Sequence, residues 1–585
     1  MKGLYHALIV FCIALFTFNC QKEVSYNGPG NPGNGNNNTD PITATLQGNI
    51  VDENDQPAIG VLIKVGNKTA TTNARGYFRI SNAALDKSSS LVTAEKTGYF
   101  KAYRVFGASS GVNQVAIKLL KRSTTGSINV SSGGDVTLAN GTKITFPANG
   151  IVKASGGAYS GSMKVYATYI DPTDPDISQN IPGSFQALDK DNKKVILTSY
   201  GMVAVELESS AGEKLQVAPN STATLTMPIP AALQSSAPAS IALWFVDEQT
   251  GIWKEEGTAT KTGNSYIGTV KHFTYWNCDV AGPRVNLTAI FKTPEGVPVT
   301  ATDVWIRPAT GYSAAHGFTD SLGQINGPIP ANIPLVLEVM SPCNSVMYSQ
   351  NIGPYSSDVN LGTITVNPNP STVVVKGRLV NCSGAAVTNG YVNINYGNWV
   401  RYVSVSNTGE FASTFYTCAG MPSTCQIYGV DITAQQQGAT VNVSVVSPLT
   451  DAGDITACGT SSIQYINYNV DGTNYSVSSL VQGDEFTGIR MDSVASDAAY
   501  LSGRHGNNSA ITFIFGHTGV PGTYPLTTLS VGNNNQLIVS PSTVVLTNCP
   551  QTVGQFYEGT FSGQYEDNAG VTHVISCSFR VRRNA

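Results

Sequence analysis

The sequence predicts an all-β chain: a string of antiparallel β-sandwich modules behind a signal peptide and a flexible tether. Three observations lead there. From about residue 43 onward, nearly every segment alternates with period two or is a short β-branched run, as at 45–51, 61–65, 77–80, 163–169, 203–207, 373–379 and 391–394. Turn residues recur about every eight to twelve positions, the spacing of antiparallel sandwiches. No amphipathic stretch exceeds about two helical turns, and the best short helical candidate is 230–233, just after a strand.

The N-terminus comes first. Lys2 precedes an apolar run over 8–18, then Cys20-Gln21-Lys22-Glu23. A short basic region and a short apolar region before a small cleavable segment read as an export signal. The run is too short to span a bilayer comfortably. A Gly/Asn/Pro tract over 26–41 follows, with no apolar periodicity and so no core of its own.

The 585 residues exceed what one core serves, and about three to five domains are expected. Charged residues make up 12% of the chain, about half the usual share, and Ser, Thr, Asn and Gly replace them. Net charge is −4 with no basic cluster, which excludes nucleic acid as a partner because that needs a concentrated positive stripe. The expected division is 1–19 signal peptide, 20–42 tether, 43–121 sandwich, 122–280 large β-rich domain, 281–370 sandwich, 371–461 sandwich and 462–585 C-terminal sandwich.

Thr17-Phe18-Asn19-Cys20 resembles a relaxed bacterial lipobox of Bacteroidetes-type lipoproteins, although Asn19 stands where Gly, Ala or Ser is usual. The resemblance implies that Cys20 is acylated and becomes the first mature residue. Gln21-Lys22-Glu23 resembles the charged signal that sends such proteins to the exterior face of the outer membrane. The membrane is then a partner through the lipid anchor. The competing reading is an ordinary secreted protein with Cys20 just inside its signal.

The first module runs Gly48-Asn49-Ile50-Val51-Asp52, Gln56-Pro57-Ala58-Ile59-Gly60-Val61, Arg75-Gly76-Tyr77-Phe78 and Lys96-Thr97-Gly98-Tyr99. This frame resembles the carboxypeptidase-regulatory-like, transthyretin-like sandwich, a resemblance that implies a non-catalytic module. The chain has no His-x-x-Glu pair of a metallocarboxypeptidase. Two later segments repeat the frame. One has Leu287-Thr288-Ala289-Ile290-Phe291 and a turn at Asp320-Ser321-Leu322-Gly323; the other has Val375-Lys376-Gly377-Arg378-Leu379 and Thr408-Gly409-Glu410-Phe411. Between the first module and these two, Gly141-Thr142-Lys143-Ile144-Thr145-Phe146, the Trp244 to Trp253 hairpin and His272-Phe273-Thr274-Tyr275-Trp276 resemble the extracellular part of cartilage-intermediate-layer-type proteins. The closing strands around Tyr557-Glu558-Gly559 and His573-Val574-Ile575 resemble C-terminal sandwiches of Bacteroidetes lipoproteins.

Of ten cysteines, Cys12 leaves with the signal and Cys20 is the lipidation candidate. Cys278, Cys343, Cys382, Cys418, Cys425, Cys458, Cys549 and Cys577 remain, an even number that fits up to four disulfides outside the cytoplasm. Cys418–Cys425 would close a small loop and Cys549–Cys577 suits the last domain, leaving Cys278–Cys343 and Cys382–Cys458, with connectivity open. Zinc is the competing use, but no Cys-x-x-Cys or histidine cluster supports it.

Three carboxylates, Asp171, Asp174 and Asp176, lie on a proline-stiffened loop and are candidate calcium ligands. The alternative is a solvent loop joining two strands. No other cofactor is implied. Tyr396, Trp399 and Tyr402 flank Gly397-Asn398 and are candidate glycan contacts, with Tyr391, Asn393 and Asn395 adding polar groups. A cross-strand aromatic cluster inside the module is the competing reading. Gly107-Ala108-Ser109-Ser110-Gly111 matches Gly-x-Ser-x-Gly, but no helix is expected after it, so the nucleophile-elbow context is missing. The histidines are scattered over separate modules. The sequence therefore points to a non-catalytic, surface-displayed lipoprotein with structural or adhesive modules that contact protein or matrix. The alternative is a glycan-binding component of an outer-membrane uptake system.

Overall fold

The computed structural model describes residues 40–584, apart from 310–314, 344, 368–370, 435, 460–462, 480–483, 493–496, 506–507, 533, 539–541 and 554. The expected signal peptide, Cys20 and most of the tether lie outside the described residues. Among those described, the fold is strand throughout except for one helical turn at Ile177–Asn180 and one 3-10 turn at Ala231–Leu233. The second falls in the stretch expected to be helical, with Pro230 at its N-cap.

Residues 41–118 fold into two facing sheets. In the three-stranded sheet Pro41–Val51 is central, antiparallel to Tyr77–Asp86 and parallel to Asn113–Lys118. The other runs Lys68–Thr71, Leu62–Val65, Ser90–Glu95, Ala102–Phe106. Period-two alternation turns Leu46, Ile50, Ile63, Ile80, Val92 and Val115 into a common core.

The same topology recurs in 284–365 and 372–456. Arg284–Lys292 and Thr372–Val380 take the central place, each with one antiparallel and one parallel neighbour, facing four- and five-stranded sheets. A shared backbone device explains the repeated sequence frame. Gly76, Gly323 and Gly409 have φ of +65°, +76° and +80°. A Cβ on each would crowd the carbonyl oxygens of Ile50, Phe291 and Leu379 respectively. Those carbonyls accept hydrogen bonds from the amides of Ala58, Val299 and Val387, while the three glycine carbonyls accept from Ile50, Phe291 and Leu379. Only glycine combines the positive φ with so close an approach.

Residues 124–282 form a 13-stranded sheet curled around two cores. Trp244 and Trp253 fill one and Trp276 the other, all fully buried. Residues 465–582 form a 10-stranded sheet closed over Phe513, Phe515, Phe561 and Phe579.

The modules also touch out of chain order. The first sandwich meets that at 284–365 where the Ser321 amide donates to the Val112 carbonyl (3.1 Å) and the Val112 amide donates to Ser321 Oγ (2.9 Å). It meets that at 372–456 through Asn49 Nδ2 donating to the Asn398 carbonyl (3.1 Å) and Tyr77 stacked on Tyr402. The latter two sandwiches are joined by Thr302 and Tyr416 hydroxyls 2.6 Å apart and by the Cys343–Cys418 disulfide. Three like sandwiches thus close pairwise on one another.

Of the four cysteine pairs expected from the sequence, Cys382–Cys458 forms, whereas Cys418–Cys425, Cys549–Cys577 and Cys278–Cys343 do not. The disulfides are Cys343–Cys418 and Cys382–Cys458, while Cys278, Cys425, Cys549 and Cys577 are buried free thiols. Cys425 and Cys577 sit on inward strand positions within their own cores, so the apolar interior claims them as packing groups. Burial pushes the thiols of Cys278 and Cys577 well up from the ordinary range.

Candidate functional site

The carboxylate loop does not assemble a cation site. Asp171 Oδ1 accepts from the Thr173 amide and hydroxyl, and Asp174 Oδ1 accepts from the Asp176 amide. Asp176 Oδ2 pairs with Lys118 at 3.0 Å, and Lys118 also holds Asp55 at 2.8 Å. Each carboxylate stabilises its own turn or the contact with the first sandwich, so the three oxygens do not converge. Among the described residues, no group of three or more His, Cys, Asp or Glu side chains is placed to hold a metal ion.

The aromatic hairpin is an internal joint. Tyr396 and Trp399 pair across the two strands, and Tyr396 is buried edge-on to Phe415. Trp399 is half-buried with its ring edge-on to Tyr416 at 6.3 Å. Tyr402 lies between Tyr77 at 6.3 Å and Tyr391 at 5.5 Å, with the Arg79 guanidinium 4.8 Å from its centroid. Asn395 Nδ2 donates to Asn393 Oδ1 (2.7 Å), and Asn393 is buried. Tyr396 is thus buried and Tyr402 is packed against Tyr77 and Arg79, while Trp399 keeps part of its surface exposed.

Ser109 is buried at the end of a loop that leads into the strand Asn113–Lys118, so no helix follows it. Its hydroxyl donates to Asp320 Oδ2 of another sandwich, and its amide donates to Asn113 Oδ1 (2.9 Å). The motif is a buried inter-module contact.

A cluster that the sequence did not single out lies close by, where the first, second and third units meet. Arg104 is buried and donates through Nη2 to the Gln179 carbonyl (2.8 Å). Asp303 Oδ2 accepts from Trp305 Nε1 (2.7 Å), and its Oδ1 stands 4.0 Å from His316 Nδ1. Burial lowers Arg104 to about 10 against the opposing pull of Asp303, and burial raises Asp303 to about 6. Burial and then the Arg104 charge push His316 down to about 3. Arg104, Asp303 and His316 come from three different strands of two modules, and they form no local motif, so no sequence signal pointed to them.

Beside this cluster a cleft of about 60 Å3 opens between the three units, with Ser109, Gln114, Gln186, His316 and Asp320 in its walls. No helix among the described residues is long and apolar enough to cross a membrane.

No protein-family model matches the chain. A stretch of 230 residues is 29% identical to human cartilage intermediate layer protein 2, covering 34% of this chain and 19% of that protein. The mouse protein of the same name is 25% identical over 264 residues, covering 39% of this chain and 22% of its own length. The relation to that family is therefore distant and partial, and the chain spans about a fifth of these relatives. Among solved structures, the shaft pilin spaA of Lactobacillus rhamnosus GG matches 30% of this chain and 98% of its own, at 10% identity and a TM-score of 0.16. The major pilin subunit of Bacillus cereus matches 56% of this chain and all of its own, at 10% identity and a TM-score of 0.13. Superpositions this loose support no functional argument.

Proposed function

We propose that this chain is a non-catalytic, surface-displayed lipoprotein whose modules make structural or adhesive contacts with proteins or matrix. The observation that carries the reading is the closed packing of three like sandwiches, tied covalently at Cys343–Cys418. A body built this way keeps its outer faces in one arrangement, which suits contact with a partner under load. In this reading the modules are 43–121, 122–280, 281–370, 371–461 and 462–585, carried on the tether 20–42. Acylation of Cys20 holds them to the outer membrane, since each buried methylene contributes about 0.8 kcal/mol.

The test uses cells displaying the full chain. Labelled palmitate should enter the wild-type protein and not Cys20→Ala, and protease added to intact cells should degrade the wild type. Attachment of those cells to immobilised matrix proteins should exceed that of cells expressing Cys20→Ala. Equal attachment, with the wild type correctly anchored, would refute the adhesive role. Equal label in both proteins would refute the anchor.

A further inference from the structure

The three like sandwiches protect their sheet edges differently. A strand at the end of a sheet leaves a row of backbone amides and carbonyls without a neighbour, and proteins blunt such rows with charges, prolines, bulges, short strands or a covering segment. In the first sandwich the four-stranded sheet ends in Ala102–Phe106. The second unit covers that strand: the Val105 amide donates to the Gly183 carbonyl and the Gly183 amide to the Tyr103 carbonyl, both at 2.9 Å. The equivalent strand of the fourth sandwich, Val441–Ser444, has only 4 residues. Its facing sheet ends in Leu449–Thr456, which carries Asp451 and Asp454.

The third sandwich is far less guarded. Its equivalent strand, Ser345–Ile352, pairs with Leu335–Ser341, and among the described residues no backbone hydrogen bond reaches it from another element. It holds no charged residue and no proline, and neither does Val359–Thr365 at the end of the facing sheet. A register shift between Val346 and Tyr348 interrupts one end, but over 348–352 the ladder to 335–339 is unbroken. Ser349, Gln350 and Asn351 are exposed along this stretch, and Val346 beside it is 49% exposed.

Such a row of backbone groups is matched by another extended strand, as Gly183 matches the first sandwich in miniature. The side chains point to which strand. An uncharged edge can lie antiparallel to its own copy without setting like charge against like charge. About a two-fold axis at Gln350, residues 348–352 meet their own copy in full. Tyr348 then stands opposite Ile352, Ser349 opposite Asn351, and Gln350 opposite itself. Aromatic with β-branched and polar with polar are the cross-strand pairs that stabilise a sheet. We propose that a second copy of this chain adds antiparallel to Ser345–Ile352, so that the two four-stranded sheets become one continuous sheet across a self-complementary interface. This pairing stands independently of the adhesive role.

Two differently tagged copies of the full chain, expressed in one cell, test this. Wild-type copies should co-purify. Gln350→Lys in both copies sets two ammonium groups face to face and should cut recovery about tenfold or more. Gln350→Glu in one copy with Gln350→Lys in the other should restore it. The variants should keep the wild-type melting temperature, because Gln350 is exposed. Should a charged variant not fold, Gln350→Cys gives a second readout. Directly opposed residues have Cα atoms about 4.5–5.5 Å apart, within reach of a disulfide. That variant should run as a reducible dimer on a non-reducing gel, whereas Leu322→Cys, exposed elsewhere on the same sandwich, should not. Absence of co-purification between wild-type copies overturns the proposal. Recovery unchanged by Gln350→Lys overturns it too, because the copies then meet on another face. So does a failure of the folded Glu and Lys variants to pair, or a Gln350→Cys protein that stays monomeric.

Discussion

Asp303 and His316 place opposite demands on one buried junction. Asp303 has its pKa raised by burial, with the Trp305 and Ser178 hydrogen bonds and the Arg104 charge only partly offsetting it. A carboxyl raised in the folded state favours folding while protonated, so its contribution is whole below about pH 4 and is lost as pH climbs through 6. His316 has a depressed pKa, and its contribution is present above its unfolded value of about 6.5 and is lost as pH falls toward 3. Asp303→Asn should therefore stabilise the fold more at pH 8 than at pH 5, by at most about 3 kcal/mol at the higher pH. His316→Gln should protect mainly below pH 5. Melting curves of both variants from pH 4 to 8 decide the matter, and identical pH profiles to the wild type would rule it out. Tyr402 is the other residue with an assignable cost. Its alanine variant loses the Tyr77 stack and the Arg79 contact, about 1–3 kcal/mol together, measurable by chemical denaturation.

At the scale of elements, the glycine turn shared by three sandwiches separates two costs of a side chain. Gly66 and Gly76 both have positive φ, +56° and +65°. A Cβ on Gly66 meets nothing, whereas one on Gly76 meets the Ile50 carbonyl. Gly66→Ala should lose only the conformational term, about 1–2 kcal/mol. Gly76→Ala should lose clearly more, because two backbone segments must move apart. Equal losses in thermal unfolding would show that the close approach carries no energy. This device was legible in the sequence as a glycine followed by a strand. The carbonyl it approaches lies 26, 32 or 30 residues earlier in the three sandwiches, and that pairing is visible only once the sheet is formed.

At the scale of the molecule, the Cys343–Cys418 bond spans two sandwiches and a sequence separation of 75 residues. Closing a loop of that length restricts the unfolded chain by about 4 kcal/mol. Cys343→Ser should lower the midpoint of unfolding accordingly, with a smaller change in the first sandwich than at the joint between the other two. The thiol inventory provides a separate check. Cys278, Cys425, Cys549 and Cys577 should resist alkylation in the native protein and react in denaturant without reductant. Protection of Cys549 and Cys577 in denaturant would mean that they are paired.

The all-β class was determined by sequence alone, because period-two alternation sends one set of side chains inward whatever the sheets' order. The frame shared by the first, third and fourth sandwiches was legible for a similar reason: a tight turn with positive φ admits almost only glycine. Apart from Cys382–Cys458, the choice of cysteine partners was not legible. Cys418 lies seven positions from Cys425 yet bonds Cys343, because a strand's alternation points Cys425 into the core while inter-module packing presents Cys418 to the neighbouring sandwich. Tyr402 carries no mark that distinguishes a sugar platform from a seat for Tyr77. Asp171, Asp174 and Asp176 could be counted as carboxylates, but only their turns and Lys118 reveal that each is already engaged. The cleft beside Gln114 and His316 exists only because three modules meet there. Local periodicity is written in neighbouring residues, whereas a site between modules is set by packing among residues 200 positions apart.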